Sequence, residues 1–211
     1  MAGLSKFLIT AILKPWSHSQ LYQEFRKHGV GFKTGLLLII LSLGFGLTSI
    51  TRAACGQFPA IPVVLPFRLE NYLFWQALLV IPWVVLSWLL VGFLARGVLI
   101  FQRQEAVSLR QVLVLLGLGF STFLFLFWIP HLLTAGLNLL GMSQKEWVDL
   151  LSQPGWFQTL YLALIALAVV AGWLSLNLSL GRIKKKISPT GLLVANLGFF
   201  SWLLLLAVFL R

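Results

Sequence analysis

The residues able to do acid–base chemistry are few, and their positions argue against an active site within the membrane. All five acidic residues lie in loops or at the edges of apolar segments: Glu24, Glu70, Glu105, Glu146 and Asp149. A relay for protons or cations needs ionisable groups inside the membrane, where they are costly and usually serve a function. The sequence offers no carboxylate pair at that depth, so we expect no such relay.

The histidines and the cysteine do not suggest a catalytic or metal site either. His18 and His28 precede the first long apolar block, whereas His131 follows the third, so we expect them on opposite sides of a membrane. We interpret His131 as a residue that lines a proline kink or an interface. Gly119–Ser121 lacks the second glycine of a nucleophile elbow, and the single Cys55 allows no intrachain disulfide. We therefore expect no enzyme activity, no cofactor and no metal.

The composition indicates an integral membrane protein. Of 211 residues, 59% are hydrophobic and only 10% are charged, whereas soluble domains carry about 25% charged residues. A helix rises 1.5 Å per residue, so about 20 apolar residues cross the hydrocarbon core. Five blocks are long enough or nearly so, and we predict an all-α, five-helix transmembrane bundle over residues 31–211. The predicted spans are about 31–50, 72–95, 109–129, 159–180 and 191–210.

The segment 131–141 leaves three alternatives open. Pro130 and His131 interrupt the third block, and Leu132–Leu140 is apolar but too short to span a bilayer. The helix could continue past a proline kink, the segment could lie in the interface, or it could form a re-entrant hairpin.

The distribution of Lys and Arg predicts the orientation. The chain has a formal net charge of +11, and cytoplasmic loops of membrane proteins carry the excess of positive charge. Most cations precede the first span or lie in the second and fourth loops, which places the N-terminus in the cytoplasm and the C-terminus outside. Arg52, Arg68, Lys145 and Arg211 lie on the other side. Our candidates for docking and for lipid-headgroup contacts are Lys6, Lys14, Arg26, Lys27, Arg96, Arg103, Arg110, Arg182, Lys184, Lys185 and Lys186.

Residues 1–30 are predicted to form a separate cytoplasmic segment that lies on the membrane. Its apolar residues fall at helical spacing before and after Pro15, which is typical of a short interfacial helix; a disordered tail is the alternative. Phe7–Leu13 is short and is followed directly by Lys14, so we expect no secretory signal peptide. The apolar residues are Leu4, Phe7, Leu8, Ala11, Ile12, Leu21, Tyr22 and Phe25.

Polar and aromatic residues inside the spans are interpreted as packing groups. Gln76, Asn177 and Asn196 are candidates for hydrogen bonds between helices. If they instead converged with Ser121, they would favour a polar path for a substrate. Of the tryptophans, Trp83, Trp88 and Trp202 are expected between helices, and Trp75, Trp128, Trp147 and Trp156 at the outer interface.

The region 71–130 resembles the bacterial Yip1 family. Residues 71–82 read NYLFWQALLVIP, and a basic loop, Ser108–Leu113 and a glycine-containing span that ends at Trp128–Pro130 follow. The chain departs from the family at Gln102–Glu105, where relatives often have a glycine pair, and in a longer region after Pro130. The resemblance implies about five spans and a cytoplasmic N-terminus, with no catalytic residues. Eukaryotic relatives bind small GTPases in membrane trafficking, and some bacterial members look like accessory partners of ABC transporters.

Together these patterns predict a non-enzymatic, Yip1-like protein of the bacterial inner membrane. It would act as a scaffold or adaptor for partner membrane proteins, or in membrane organisation. Anionic headgroups and a membrane-protein partner or a second copy are the expected contacts. Nucleic acid is not expected, because the basic charge lies in short patches between apolar blocks. The alternative is an accessory subunit of an ABC-type transport complex or a small permease.

Overall fold

The computed structural model describes residues 2–58, 71–103, 107–181 and 188–209. Within these ranges the chain is helical and forms no strand. The helices are α1 (Ala2–Leu13), α2 (His18–Phe25), α3 (Val30–Ala54), α4 (Tyr72–Phe101), α5 (Leu109–Leu139), α6 (Gln144–Ser152), α7 (Trp156–Leu180) and α8 (Pro189–Phe209), with a short 3₁₀ turn at Pro15–Ser17.

Five of these helices are long and apolar enough to cross a membrane: α3, α4, α5, α7 and α8. They contain 21 to 31 residues and have mean hydropathies of 1.9 to 2.5. The chain therefore has the fold of an integral, multi-pass membrane protein, and the predicted number of long apolar helices is confirmed. The helices α4 and α5 extend beyond the predicted spans, to Phe101 and Leu139.

The proline in α5 does not end the helix. Pro130 is buried inside α5, and the Thr134 hydroxyl donates a hydrogen bond to the Pro130 carbonyl at 2.9 Å. Of the three alternatives for segment 131–141, the structure has the first, since the helix continues as far as Leu139. Hydroxyl groups of this kind help to satisfy the backbone near a proline in membrane helices.

The long helices alternate in direction, so the bundle has two ends. At the α6 end, the Tyr72 hydroxyl at the start of α4 donates to the Phe209 carbonyl at the end of α8, at 2.8 Å. At the α2 end, the Arg110 guanidinium at the start of α5 donates to the Arg26 carbonyl after α2, at 3.2 Å. α5 is the central helix: it packs against α3, α4, α7 and α8 and also against the N-terminal helices.

Close packing around α5 relies on aromatic rings and small residues. Phe120 of α5 stacks on Trp202 of α8, with ring centroids 3.9 Å apart and nearly parallel planes. A Cβ added at Gly172 of α7 would lie only 2.7 Å from the Phe123 side chain, and one at Gly119 would collide with Leu176. Glycines at these positions let the α5 and α7 backbones approach closely, as is common in membrane bundles.

The N-terminal segment is helical, as predicted, and part of its apolar face packs on protein. Phe7 and Ala11 of α1 and Leu21 of α2 are almost completely buried, and the two helices contact α3, α5 and α7. On the opposite side of this segment, the large apolar side chains of Ile9 and Trp16 are exposed. The expected amphipathic helix therefore covers the α2 end of the bundle with one of its faces.

Candidate docking surface and polar contacts

The cations predicted for docking lie together at the α2 end, and we call this group the basic surface. Six of them are exposed, and Arg96 is half-buried. Arg182 and Lys184–Lys186, which were predicted for the same surface, lie outside the described residues. The described members are Lys6, Lys14, Arg26, Lys27, Arg96, Arg103 and Arg110.

Two contacts join the parts of the basic surface. The Lys6 ammonium lies 2.6 Å from the Glu24 carboxylate and links α1 to α2. Arg110 links α5 to the end of α2 through the Arg26 carbonyl. An exposed ion pair of this kind contributes at most about 1 kcal/mol. Because Glu24 is the only acidic side chain that the described residues place at this end, the surface remains strongly positive.

Lys33 differs from its neighbours, because its side chain packs on aromatic rings. Its ammonium lies 4.2 Å from the centroid of the Phe25 ring and 6.0 Å from that of Phe7. These two rings contact each other edge to face at 5.4 Å. Cation–π contacts stabilise such an arrangement, so Lys33 fastens α3 to the N-terminal helices.

His18 is a buried connector that sequence reasoning missed. Its Nε2 lies 2.8 Å from the Ala11 carbonyl, and its Nδ1 lies 3.0 Å from the Ser175 hydroxyl of α7. A carbonyl can only accept, so Nε2 carries the proton, and Nδ1 accepts from Ser175 in the neutral ring. Burial lowers the pKa of His18 to about 4, although the hydrogen bond to Ala11 acts in the opposite direction. His18 therefore ties the N-terminal segment to α7 in its neutral form.

The two asparagines of the last two helices lie together. Asn196 of α8 donates to the Asn177 side-chain oxygen of α7 at 3.1 Å. The Trp173 indole donates to the Asn196 side-chain oxygen at 2.7 Å. These bonds join α7 to α8 inside the apolar bundle, where such contacts set the register of neighbouring helices.

Gln76 has a different set of partners. Its amide nitrogen donates to the Phe209 carbonyl of α8 at 3.1 Å, and its oxygen accepts from the Ser49 hydroxyl of α3 at 2.9 Å. Ser121 donates to the Leu118 carbonyl within its own helix. Gln76, Ser121 and the asparagine pair thus have separate neighbours and do not form one polar path.

The tryptophans expected between helices do lie there. The indole nitrogens of Trp83, Trp88 and Trp202 each donate to a group on another helix, at 2.8 to 3.1 Å. Of those expected at the outer interface, Trp156 is largely exposed, but Trp147 is buried against neighbouring aromatic rings. Trp147 therefore packs on protein, whereas Trp156 is accessible on the surface; the predicted aromatic belt stays a prediction.

One further residue changes the description of the site that was based on sequence. Arg52, which was assigned to an outer loop, lies in α3 and is only 8% exposed. Within the described ranges, no three His, Cys, Asp or Glu side chains are grouped closely enough to hold a metal ion. The only signal in the sequence that could have indicated the burial of Arg52 was its position near the end of an apolar helix.

Comparison of the chain with protein-family models, with curated proteins and with solved structures gave no match. The indications of its function therefore come from its own residues. The features that bear on function are the basic surface at the α2 end and the buried polar groups at the α6 end.

Proposed function

We propose that this chain is a non-enzymatic, Yip1-like membrane scaffold with a cytoplasmic N-terminus and an external C-terminus. Its basic surface would bind partner membrane proteins and anionic headgroups on the cytoplasmic side of a bacterial inner membrane. The observation that supports this best is the asymmetry of charge: except for Arg52 and Lys145, every described Lys and Arg lies at the α2 end. Such asymmetry is the usual determinant of membrane orientation.

The basic surface has a fixed shape suited to recognition. The Lys6–Glu24 salt bridge joins α1 to α2, and the His18 bonds and the Lys33 contact hold these helices on the bundle. Binding would therefore require little ordering of the chain. A Lys or Arg near an anionic membrane contributes about 1 kcal/mol. The exposed Ile9 and Trp16 lie on the same segment and would enter the adjacent leaflet.

The resemblance to the Yip1 family supports a scaffold rather than a transporter. The region that carries it comprises α4 and much of α5, which form a large part of the packed bundle. A permease would need a polar path, and Gln76, Ser121 and Asn177 have separate partners. The accessory subunit of a transport complex remains the alternative, and it would use the same docking surface.

Orientation can be tested on the native chain, because Cys55 is its only cysteine and lies just after α3 at the α6 end. A membrane-impermeant maleimide should label Cys55 in intact cells from which any outer membrane has been removed. A variant with Cys55→Ser and Lys27→Cys should be labelled only in inside-out vesicles. The reverse pattern would contradict the proposed orientation.

Docking is tested by crosslinking in native membranes, followed by purification in mild detergent. We expect R26E/K27E to lose the co-purified partner, because it reverses charge on the basic surface. K145E is the matched control at the opposite end and should retain the partner. Recovery of the wild type without a partner and without self-association would contradict a scaffold. A co-purified ATPase would favour the transport alternative.

A further inference from the structure

A buried cation lies at the α6 end of the bundle, far from the basic surface. Arg52 belongs to the last turn of α3 and is 8% exposed. Its Nε is buried and has no hydrogen-bond partner among the described residues. An unpaired buried charge is strongly unfavourable, so this arrangement calls for a compensating anion.

The described acidic side chains do not provide that anion. Glu24 pairs with Lys6 at the opposite end. Glu146 caps α6, accepting from the backbone and the hydroxyl of Ser143. Asp149 lies exposed on α6 and makes no salt bridge with Arg52.

The polar groups near Arg52 carry no negative charge. Tyr161 of α7 and His131 of α5 both lie within electrostatic range of the guanidinium, and the Tyr161 hydroxyl lies beside Thr134. His131 itself packs edge to face against Phe45, with centroids 5.2 Å apart. Because the Thr134 hydroxyl donates to Pro130, it accepts from Tyr161, and neither Tyr161 nor His131 supplies a negative charge to Arg52.

Further buried polar atoms at the same end lack partners. They are the side-chain oxygens of Gln57 and Asn138 and the amide nitrogen of Gln144. The amide nitrogens of Gln57 and Asn138 both donate to the Met142 carbonyl, at 3.2 and 3.3 Å. Buried polar groups are almost always hydrogen-bonded. Of these atoms only the Gln144 nitrogen can donate to an oxyanion, whereas the Gln57 and Asn138 oxygens are acceptors and can pair only with a donor such as a hydroxyl group.

We propose that Arg52 anchors a binding site for a phosphate-type oxyanion at the α6 end. The planar guanidinium matches the oxygens of a phosphate, and charge-assisted bonds of this kind are among the strongest. The Gln144 amide nitrogen, which is buried and unpaired, would supply a further donor. The site does not depend on the orientation of the chain or on the basic surface.

The phosphate could come from a lipid headgroup or from a soluble molecule. Arg52 lies in the last turn of a spanning helix, near the depth of headgroup phosphates. An open cavity of about 480 Å³ at the same end is lined by Met142 and Phe157 and also by Glu146 and Asp149. Because these two carboxylates repel an anion, the cavity itself is not the phosphate site but the space beside it. Met142 accepts the bonds described above, and Phe157 stacks on Tyr161, so the cavity adjoins the polar groups.

Binding is tested on the full-length protein in detergent by thermal unfolding with three probes. These are inorganic phosphate, a short-chain phosphatidylglycerol and the corresponding diacylglycerol, which lacks phosphate. We expect phosphatidylglycerol to raise the melting temperature and diacylglycerol not to. A response to inorganic phosphate as well would identify a soluble anion as a source. If neither phosphate-containing probe binds, the proposal is wrong.

Variants locate the binding. R52Q should weaken it at least about tenfold, the loss expected for one strong charge-assisted bond, whereas K145Q and R26Q/K27Q should bind as the wild type does. Equal losses in all three variants would mean non-specific attraction and would refute the site.

Hydrogen exchange on the wild type needs no variant: phosphatidylglycerol should protect residues 47–58 and 131–142. Protection confined to α1 and α2 would also refute it.

Discussion

Acidification is expected to release the N-terminal segment from the bundle, because His18 is docked in its neutral form. Burial lowers its pKa from the ordinary 6.5 to about 4. Between these values the released segment binds a proton and the docked segment does not, so docking weakens as the pH falls. The contribution is fully present above pH 6.5, is lost as the pH falls towards 4, and changes little below that.

The magnitude follows from the two pKa values. The free energy of docking is weaker by about 2 kcal/mol at about pH 5 than at about pH 7.5. The weakening reaches a limit of about 3 kcal/mol at lower pH. A loss of about 2 kcal/mol raises the ratio of released to docked molecules about 30-fold. Ser175 would then face an imidazolium that can no longer accept its hydrogen bond.

The assay is an electron–electron distance measurement in nanodiscs. Nitroxide labels at Gln23 and Gln102, both exposed, report the distance between α2 and the end of α4 in a Cys55→Ser background. We expect one distance at about pH 7.5 and an additional, longer one at about pH 5. H18Q cannot take up the proton and should show no pH dependence, whereas H28Q changes an exposed histidine and should respond as the wild type does.

The effect of protonating His18 must be distinguished from the effect of other charged groups nearby. On α1 and α2 the described charged groups are Lys6 and Glu24, which pair with each other, and Lys14 follows α1. The helix α7, which carries Ser175, has no charged side chain. E24Q should therefore keep the response to pH. An unchanged distance in the wild type, or the same response in H18Q, would refute the reasoning.

Three further perturbations test the packing. N196A removes the bonds between α7 and α8 and should lower the free energy of unfolding by about 1–2 kcal/mol in detergent, whereas S201A, at an exposed position, should not. G172L would force a side chain against Phe123 and destabilise the protein by about 1–3 kcal/mol or prevent folding. Hydrogen bonds from the α6 N-cap lower the pKa of Glu146, so E146Q should lower the protection factors of the amides in residues 143–153. Protonating Glu146 at low pH should lower them as well, once the slower intrinsic exchange at that pH is corrected for.

Each of these has a result that would contradict it. Equal stability of N196A and S201A would mean that the asparagine pair contributes nothing to the bundle. A G172L protein as stable as the wild type would show that α5 and α7 are not closely packed there. Exchange in residues 143–153 that is unaffected by E146Q would show that the capping bonds do not hold α6.

The number of membrane helices could be predicted from the sequence, because apolar runs of about 20 residues have few other folded forms. Their ends could not be predicted as well. The predicted span ended at Ala95, with Arg96 assigned to the following loop, but the helix α4 continues to Phe101. A cation near the interface can extend its side chain towards water, and continuing the helix satisfies the backbone.

Burial of the polar residues depends on tertiary neighbours that sequence patterns do not reveal. His18 lies in a polar stretch, and nothing near it in sequence indicates that Ser175 would meet its ring. In the sequence Arg52 looks like any other cation of the chain. Its burial depends on neighbours from α5 and α7. The roles of such residues are set by contacts between helices that are distant in sequence.

The bond between His18 and Ser175 also limits how early the N-terminal segment can dock fully during synthesis. The two residues are 157 positions apart, and ribosomes add about 5–20 residues per second. His18 must therefore wait on the order of ten seconds or more before α7 emerges to receive it. During this interval the N-terminal segment can pack on α3 and α5, but the part of its surface that faces α7 has no protein partner, and the membrane surface can shield it.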